Sequence, residues 1–133
     1  MKKLFFASLG MMTALFALPV VVPVTAQTQK ATLAALSPGQ WSIRTRGGTE
    51  LRRLCVKSGR ELVRIRHVQA RCTSRVLRDD GKSVTVRYSC PGSGHGESTI
   101  TRETDRLVQI RSQGIDDGSP FDLNLEARRI GTC

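Results

Sequence analysis

Alternating apolar and polar side chains set the fold class of this chain. Val84, Val86, Tyr88 and Cys90 fall on one side of an extended segment, and Ser83, Thr85, Arg87 and Ser89 fall on the other. A half-buried strand produces this period of two. Trp41, Ile43 and Thr45 repeat the pattern early in the chain. Phe121, Leu123, Leu125 and Ala127 repeat it near the end, opposite Asp122, Asn124, Glu126 and Arg128. Turn signals separate the runs. Gly47-Gly48 returns the chain into a second strand over Glu50 to Val56, and Thr104-Asp105 joins Ser98–Glu103 to Leu107–Ser112. Pro91 to Gly96 and Gly114 to Pro120 read as loops. The pattern predicts a mainly β domain, a curved antiparallel sheet or partial barrel of about six or seven strands.

One stretch carries two signals. Ser58-Gly59-Arg60-Glu61 fits a helix capping box, whereas Val63-Arg64-Ile65-Arg66 alternates like a strand. The expectation is one short helix followed by an extended segment.

The chain opens differently. Lys2 and Lys3 precede an apolar run from Leu4 to Leu18, Pro19 and Pro23 interrupt it, and Val24-Thr25-Ala26 places small residues before Gln27. This is the pattern of a cleaved secretory signal over residues 1–26. The apolar core is short of the ~20 residues of a membrane span, so no integral membrane anchor is expected once the signal is removed. Residues 27–35 read as a flexible leader, and residues 36–133 as a single domain. The expected location is periplasmic or secreted.

Export changes the meaning of Cys55, Cys72, Cys90 and Cys133. Four cysteines in a small exported domain imply two disulfides, with three possible connectivities. A turn over Arg78-Asp79-Asp80-Gly81-Lys82, with Arg78 facing Lys82, places Cys72 opposite Tyr88 and one diagonal step from Cys90. A small bulge would bring Cys72 and Cys90 together, which leaves Cys55 for Cys133. Zinc sites want close cysteine pairs, and these spacings lack them. No metal or other cofactor is expected.

The chain has 21 basic and 11 acidic residues, for a net charge of +10, and 16 of the bases are arginine. Planar, bidentate guanidinium groups suit phosphate and carboxylate partners. Arg44, Arg46, Arg52 and Arg53 lie on the first hairpin and form a candidate anion-binding surface. Trp41 and Tyr88, the only residues of their types, sit on inward-facing positions where they either pack the core or line a ligand cavity. So few aromatics argue against a stacking platform for nucleic acid. His95-Gly96-Glu97 offers an acid–base pair and Asp116-Asp117-Gly118, with Asp122, offers oxygen ligands. Neither completes a catalytic or calcium-binding pattern.

Several landmarks together resemble the DUF3617 family of exported bacterial proteins. They are Ser37-Pro38-Gly39-Gln40-Trp41, Leu54-Cys55-Val56, Cys72, and Val86-Arg87-Tyr88-Ser89-Cys90 before a glycine-rich stretch, with Ala127 to Cys133 ending in Gly-x-Cys. The resemblance covers Leu36 to Cys133. Gln40 stands where the family often has leucine, and a methionine-rich central stretch is missing. The resemblance implies a periplasmic β-rich domain and brings no reaction or ligand. The expected function is that of a non-enzymatic binding or envelope-associated module, whose partner is an anionic envelope component or a small amphipathic ligand. A protein–protein docking module is the alternative, and a hydrolase-like enzyme is a third.

Overall fold

The computed structural model describes residues 31–133 apart from Gln69. The secretory signal expected over residues 1–26 lies outside the described residues, as do the first four residues of the leader. Seven strands form the domain: β1 (Gly39–Thr45), β2 (Glu50–Val56), β3 (Thr73–Asp79), β4 (Ser83–Cys90), β5 (Gly94–Thr104), β6 (Leu107–Asp116) and β7 (Ser119–Gly131). They make one sheet in the order β2-β1-β7-β6-β5-β4-β3, antiparallel throughout. Among the described residues there is no α-helix, only 3-10 turns at Leu33–Ala35 and Arg60–Leu62.

The period of two becomes a single buried face through the register. Ile43 of β1 faces Ala127 of β7, which faces Val108 of β6. Leu125 faces Ile110, Ile110 faces Ile100, and Ile100 faces Val84. All of these are buried. Directly paired residues share a face, so the core is continuous from β1 to β4. The connection from β2 to β3, residues 57–72, lies over that face and buries Leu62, Val63, Ile65 and His67.

This connection departs from expectation. Glu61 does reach back as a capping box requires, accepting hydrogen bonds from the N–H groups of Lys57 (3.2 Å) and Ser58 (3.3 Å). Gly59 occupies the N-cap position, however, and only one 3-10 turn forms. No strand follows it. Val63, Ile65 and His67 alternate in burial because the segment runs across the sheet rather than within it.

Half of the first predicted loop and most of the second are strand. His95 and Gly96 belong to β5, and β6 and β7 extend to a tight turn at Asp117-Gly118. The glycines serve close approach here rather than flexibility. A Cβ on Gly96 would stand 2.5 Å from the Tyr88 hydroxyl oxygen and 2.7 Å from its Cζ, so the phenol ring lies on the Gly96 backbone.

The disulfides are Cys72–Cys90 and Cys55–Cys133. The register that aligns the first differs from the expected one. The chain reverses at Gly81-Lys82, where Gly81 has φ +80°, and Asp79 rather than Arg78 begins the ladder, opposite Val84. A bulge between Val76 and Arg78 then shifts the pairing to Val76↔Val86 and Thr73↔Ser89. Cys72 thereby continues the β3 line opposite Cys90. Cys55 and Gly131 both flank Gln40 of β1, so the second bridge passes the end of β1 to join its two neighbours.

Thr32, within the predicted leader, and Ser37, at the start of the predicted domain, each hydrogen-bond to the sheet or one of its turns. The Thr32 hydroxyl donates to an Asp79 carboxylate oxygen at 2.7 Å, and the Thr32 N–H lies 3.2 Å from both oxygens. The Ser37 hydroxyl donates to Asp105 at 2.5 Å. Burial raises the Asp79 pKa, but the hydrogen bonds from Thr32 and the Gly81 N–H outweigh it and hold the carboxyl below its usual range. The Asp105 pKa is lowered chiefly by Ser37.

Carboxyls depressed in the folded state stabilise it above their unfolded pKa, and that contribution is lost as pH falls through the folded value. Amide protection at Leu33–Ala35 is therefore expected to fall below about pH 4, ahead of the sheet amides. Hydrogen exchange compared at about pH 5 and pH 2.5 checks this, and equal retention of both sets would contradict it.

Candidate functional site

Among the described residues the sheet ends in an open edge at β3. The sequence Thr73-Ser-Arg-Val-Leu-Arg-Asp79 has no apolar alternation to bury, and every one of its residues is exposed. Val76 is 56% exposed and Leu77 41% exposed. Leu77 is the extra residue of the bulge. The register puts Thr73, Arg75 and Arg78 on the outer face, opposite Ser89, Arg87 and Thr85. Ser74 and Val76 take the inner face, opposite Tyr88 and Val86. A free strand edge offers unpaired N–H and C=O groups, and bulges and charges protect it from indiscriminate pairing.

Beneath the inner side of β3 lies a cleft of about 320 Å³. Leu33, Val63, Val76 and Val86 give it an apolar lining, while Arg60 and Arg64 bring two cations to it. No lining residue is acidic. Arg64 donates to the Ala70 carbonyl at 3.1 Å. Among the described residues no carboxylate lies within 4 Å of Arg60, Arg64, Arg75 or Arg78. A shallow hollow on the outer side of the same strands is lined in part by Arg75, Arg87, Ser89 and His95. Arg87 is already matched there by Glu97 at 2.8 Å.

The four arginines of the first hairpin do not form one surface. Ile43 pairs with Arg52, so Arg52 lies on the core side of the sheet and contributes to a recess with Arg66, His67 and Asp116. Glu50 lies among the others, 2.8 Å from Arg53 and 3.8 Å from Arg44. Hydrogen bonds from Ser42 and Arg53 lower the Glu50 pKa, which keeps its negative charge in the middle of the patch. Arg46 stands near Glu103 and Glu126 around another hollow.

Trp41 and Tyr88 are both buried in the core, at 0% and 2% exposure, and Tyr88 also contributes to the wall of the outer hollow beside Arg75 and His95. The Trp41 indole N–H donates to the Ser37 carbonyl at 3.1 Å. His95 is exposed, and Glu97, its neighbour on the same face, is engaged with Arg87. Asp116 binds Arg66 at 2.6 Å and Asp122 lies 3.9 Å from Arg111. These acids do not gather into a metal cage, and no group of three metal-ligating side chains occurs among the described residues.

A second polar group, inside the domain, carries no strong sequence signal. His67 is buried, with Nδ1 3.2 Å from the Tyr88 hydroxyl and Nε2 3.4 Å from Asp116 Oδ1. Nε2 makes no aligned hydrogen bond among the described residues. Ser98 donates to the Val63 carbonyl at 2.6 Å and lies 2.7 Å from the Ser112 hydroxyl. Burial raises the Tyr88 pKa against the opposing effect of Ser112, so the phenol stays protonated at neutral pH. These contacts fasten the crossing segment to the sheet. Apart from His67 Nε2, they satisfy polar groups that would otherwise be costly to bury.

The chain belongs to the DUF3617 family, a protein family of unknown function, which it matches over residues 36–133. No curated protein and no solved structure matches it.

Proposed function

We propose that this DUF3617 domain is a non-enzymatic, extracytoplasmic binding module that captures an anionic partner at the β3 end of its sheet. One observation carries the reading. A strand edge unpaired among the described residues lies over a cleft of mixed apolar and arginine lining, with Arg60 and Arg64 on the cleft side and Arg75 and Arg78 on the outer side, and no carboxylate within ion-pair distance of them among the described residues. Arginine in such a setting selects carboxylate or phosphate, and desolvation beside apolar groups strengthens the pairing.

Other features support it. Two disulfides fit a protein that folds in an oxidising space, as the lysine-led apolar start of the sequence also suggests. The histidine that has both a hydroxyl and a carboxylate beside it is enclosed, with its side chain 1% exposed. Its ring borders the recess with Arg66 and Asp116 but presents almost no surface there, which favours binding over catalysis.

The test compares two variants with equal loss of charge. One replaces Arg60, Arg64, Arg75 and Arg78 by glutamine, and the other replaces Arg44, Arg46, Arg52 and Arg53. Binding to phosphatidylglycerol vesicles and to polyglutamate is measured at several salt concentrations. The β3-end variant is expected to weaken binding at least about tenfold, and the hairpin variant less than about threefold. Equal losses would mean that net charge alone governs binding, and the proposal would fail.

A further inference from the structure

We infer that the β3 edge accepts an extended acidic peptide segment of a partner protein as an additional strand. This rests on the proposed binding role and names the partner class. Strand addition takes its affinity from main-chain hydrogen bonds and its specificity from alternate side chains. Both elements are present at β3. Its outer backbone edge has no neighbouring strand among the described residues. On one face the added strand would lie beside Val76 and the cleft that contains Val63 and Val86. On the other it would lie beside Arg75 and Arg78. The matching segment therefore alternates apolar and acidic side chains, with carboxylates opposite the arginines.

Charge selects this occupant over a second copy of the chain. The protein carries a net charge of +10, and joining two β3 edges would bring two sets of Arg75 and Arg78 together. Charge also distinguishes the two edges of the sheet. The β2 edge carries Glu50 between Arg44 and Arg53, whereas the β3 arginines have no such neutralising partner within 4 Å among the described residues. The two arginines would repel basic strands.

The probe is an end-capped, fluorescently labelled peptide of seven alternating glutamate and valine residues, read by anisotropy. Binding is expected to weaken at least about tenfold when the peptide backbone is N-methylated, when its glutamates become lysines, or when Arg75 and Arg78 become glutamine. Both arginines are exposed, so the variant should fold, and its thermal melt verifies that. Amide shifts on titration should be largest over Thr73–Asp79. Equal affinity for the methylated peptide, or shifts centred on β2, would overturn strand addition. If the peptide fails but vesicle binding still depends on the β3-end arginines, the partner is a lipid surface. This inference then falls while the broader anion-binding role stands. If neither probe binds, both fall.

Discussion

Replacing Cys55 and Cys133 together by alanine is expected to lower stability by roughly 4.5 kcal/mol. The bridge closes a sequence separation of 78 residues, against 18 for Cys72–Cys90, and loop-closure entropy grows with the logarithm of that length. The same reasoning gives about 3 kcal/mol for the shorter bridge. The position of the longer bridge adds to its importance. β2 pairs only with β1, and Cys55 lies near the end of β2. Without the link, the β1–β2 hairpin is held by β1–β7 pairing and by the burial of Trp41, Ile43 and Val56. The loss is a large part of the ~5–15 kcal/mol that typically stabilises a domain. Urea unfolding of the double variant, with a melting temperature lowered by roughly 20–30 °C, is the expected result. A loss below about 1 kcal/mol would show that the unlinked chain retains the same restraint by other means.

Trp41→Ala should be the most damaging single substitution in the core, at about 3–5 kcal/mol. Trp41 is completely buried and sits in β1, between Leu54 of β2 and Arg129 of β7. Truncation would open a cavity where the sheet's least local pairing is made. It would also remove the indole donor from the Ser37 carbonyl. Trp41→Phe separates the two contributions, because it restores most of the apolar volume but not the donor. Its expected cost is about 1–3 kcal/mol. Equal losses in the two variants, measured by chemical denaturation followed by far-ultraviolet dichroism, would assign the effect to the hydrogen bond rather than to packing.

The sequence made the core strands readable because burial on one face imposes a strict alternation. Val84, Val86, Tyr88 and Cys90 are buried, while the intervening residues are partly or fully exposed. The resemblance to DUF3617 and the mainly β class were legible for the same reason: their landmarks lie on core strands and cysteines. Register was less legible where one strand has nothing to bury. β3 is an edge with exposed side chains throughout, so its pattern does not penalise a slip. The Gly81-Lys82 turn and the Leu77 bulge decide the alignment there.

The arginine patch shows a different limit. Arg52 and Arg53 are adjacent in sequence, and a strand sends adjacent residues to opposite faces. The predicted four-arginine surface therefore divides between the two sides of the sheet. His67 was hidden because the segment around it crosses the sheet without hydrogen bonding into it as a strand. The spacing of Val63, Ile65 and His67 was a usable sign of burial, although the same spacing suggested the wrong backbone conformation. Gly94 and Gly96 read as loop residues by composition, when neighbouring groups pack too closely against them for a side chain to fit. The β3 cleft depends on an edge, a bulge and a crossing segment coming together, and no local motif encodes that combination.

The pairing of β1 with β7 has a consequence for how the chain reaches this shape. The first strand to leave a ribosome or a translocation channel waits for the last, and Cys55 waits still longer, for Cys133. The meander from β3 to β7 can assemble in passing, but the β1–β2 hairpin remains a loose flap until β7 and Cys133 emerge. Contacts this distant in sequence slow folding. A nascent chain stalled a few residues short would thus present an unfinished sheet and an unspent thiol, the two features by which a disulfide-forming catalyst or a quality-control protease distinguishes incomplete work.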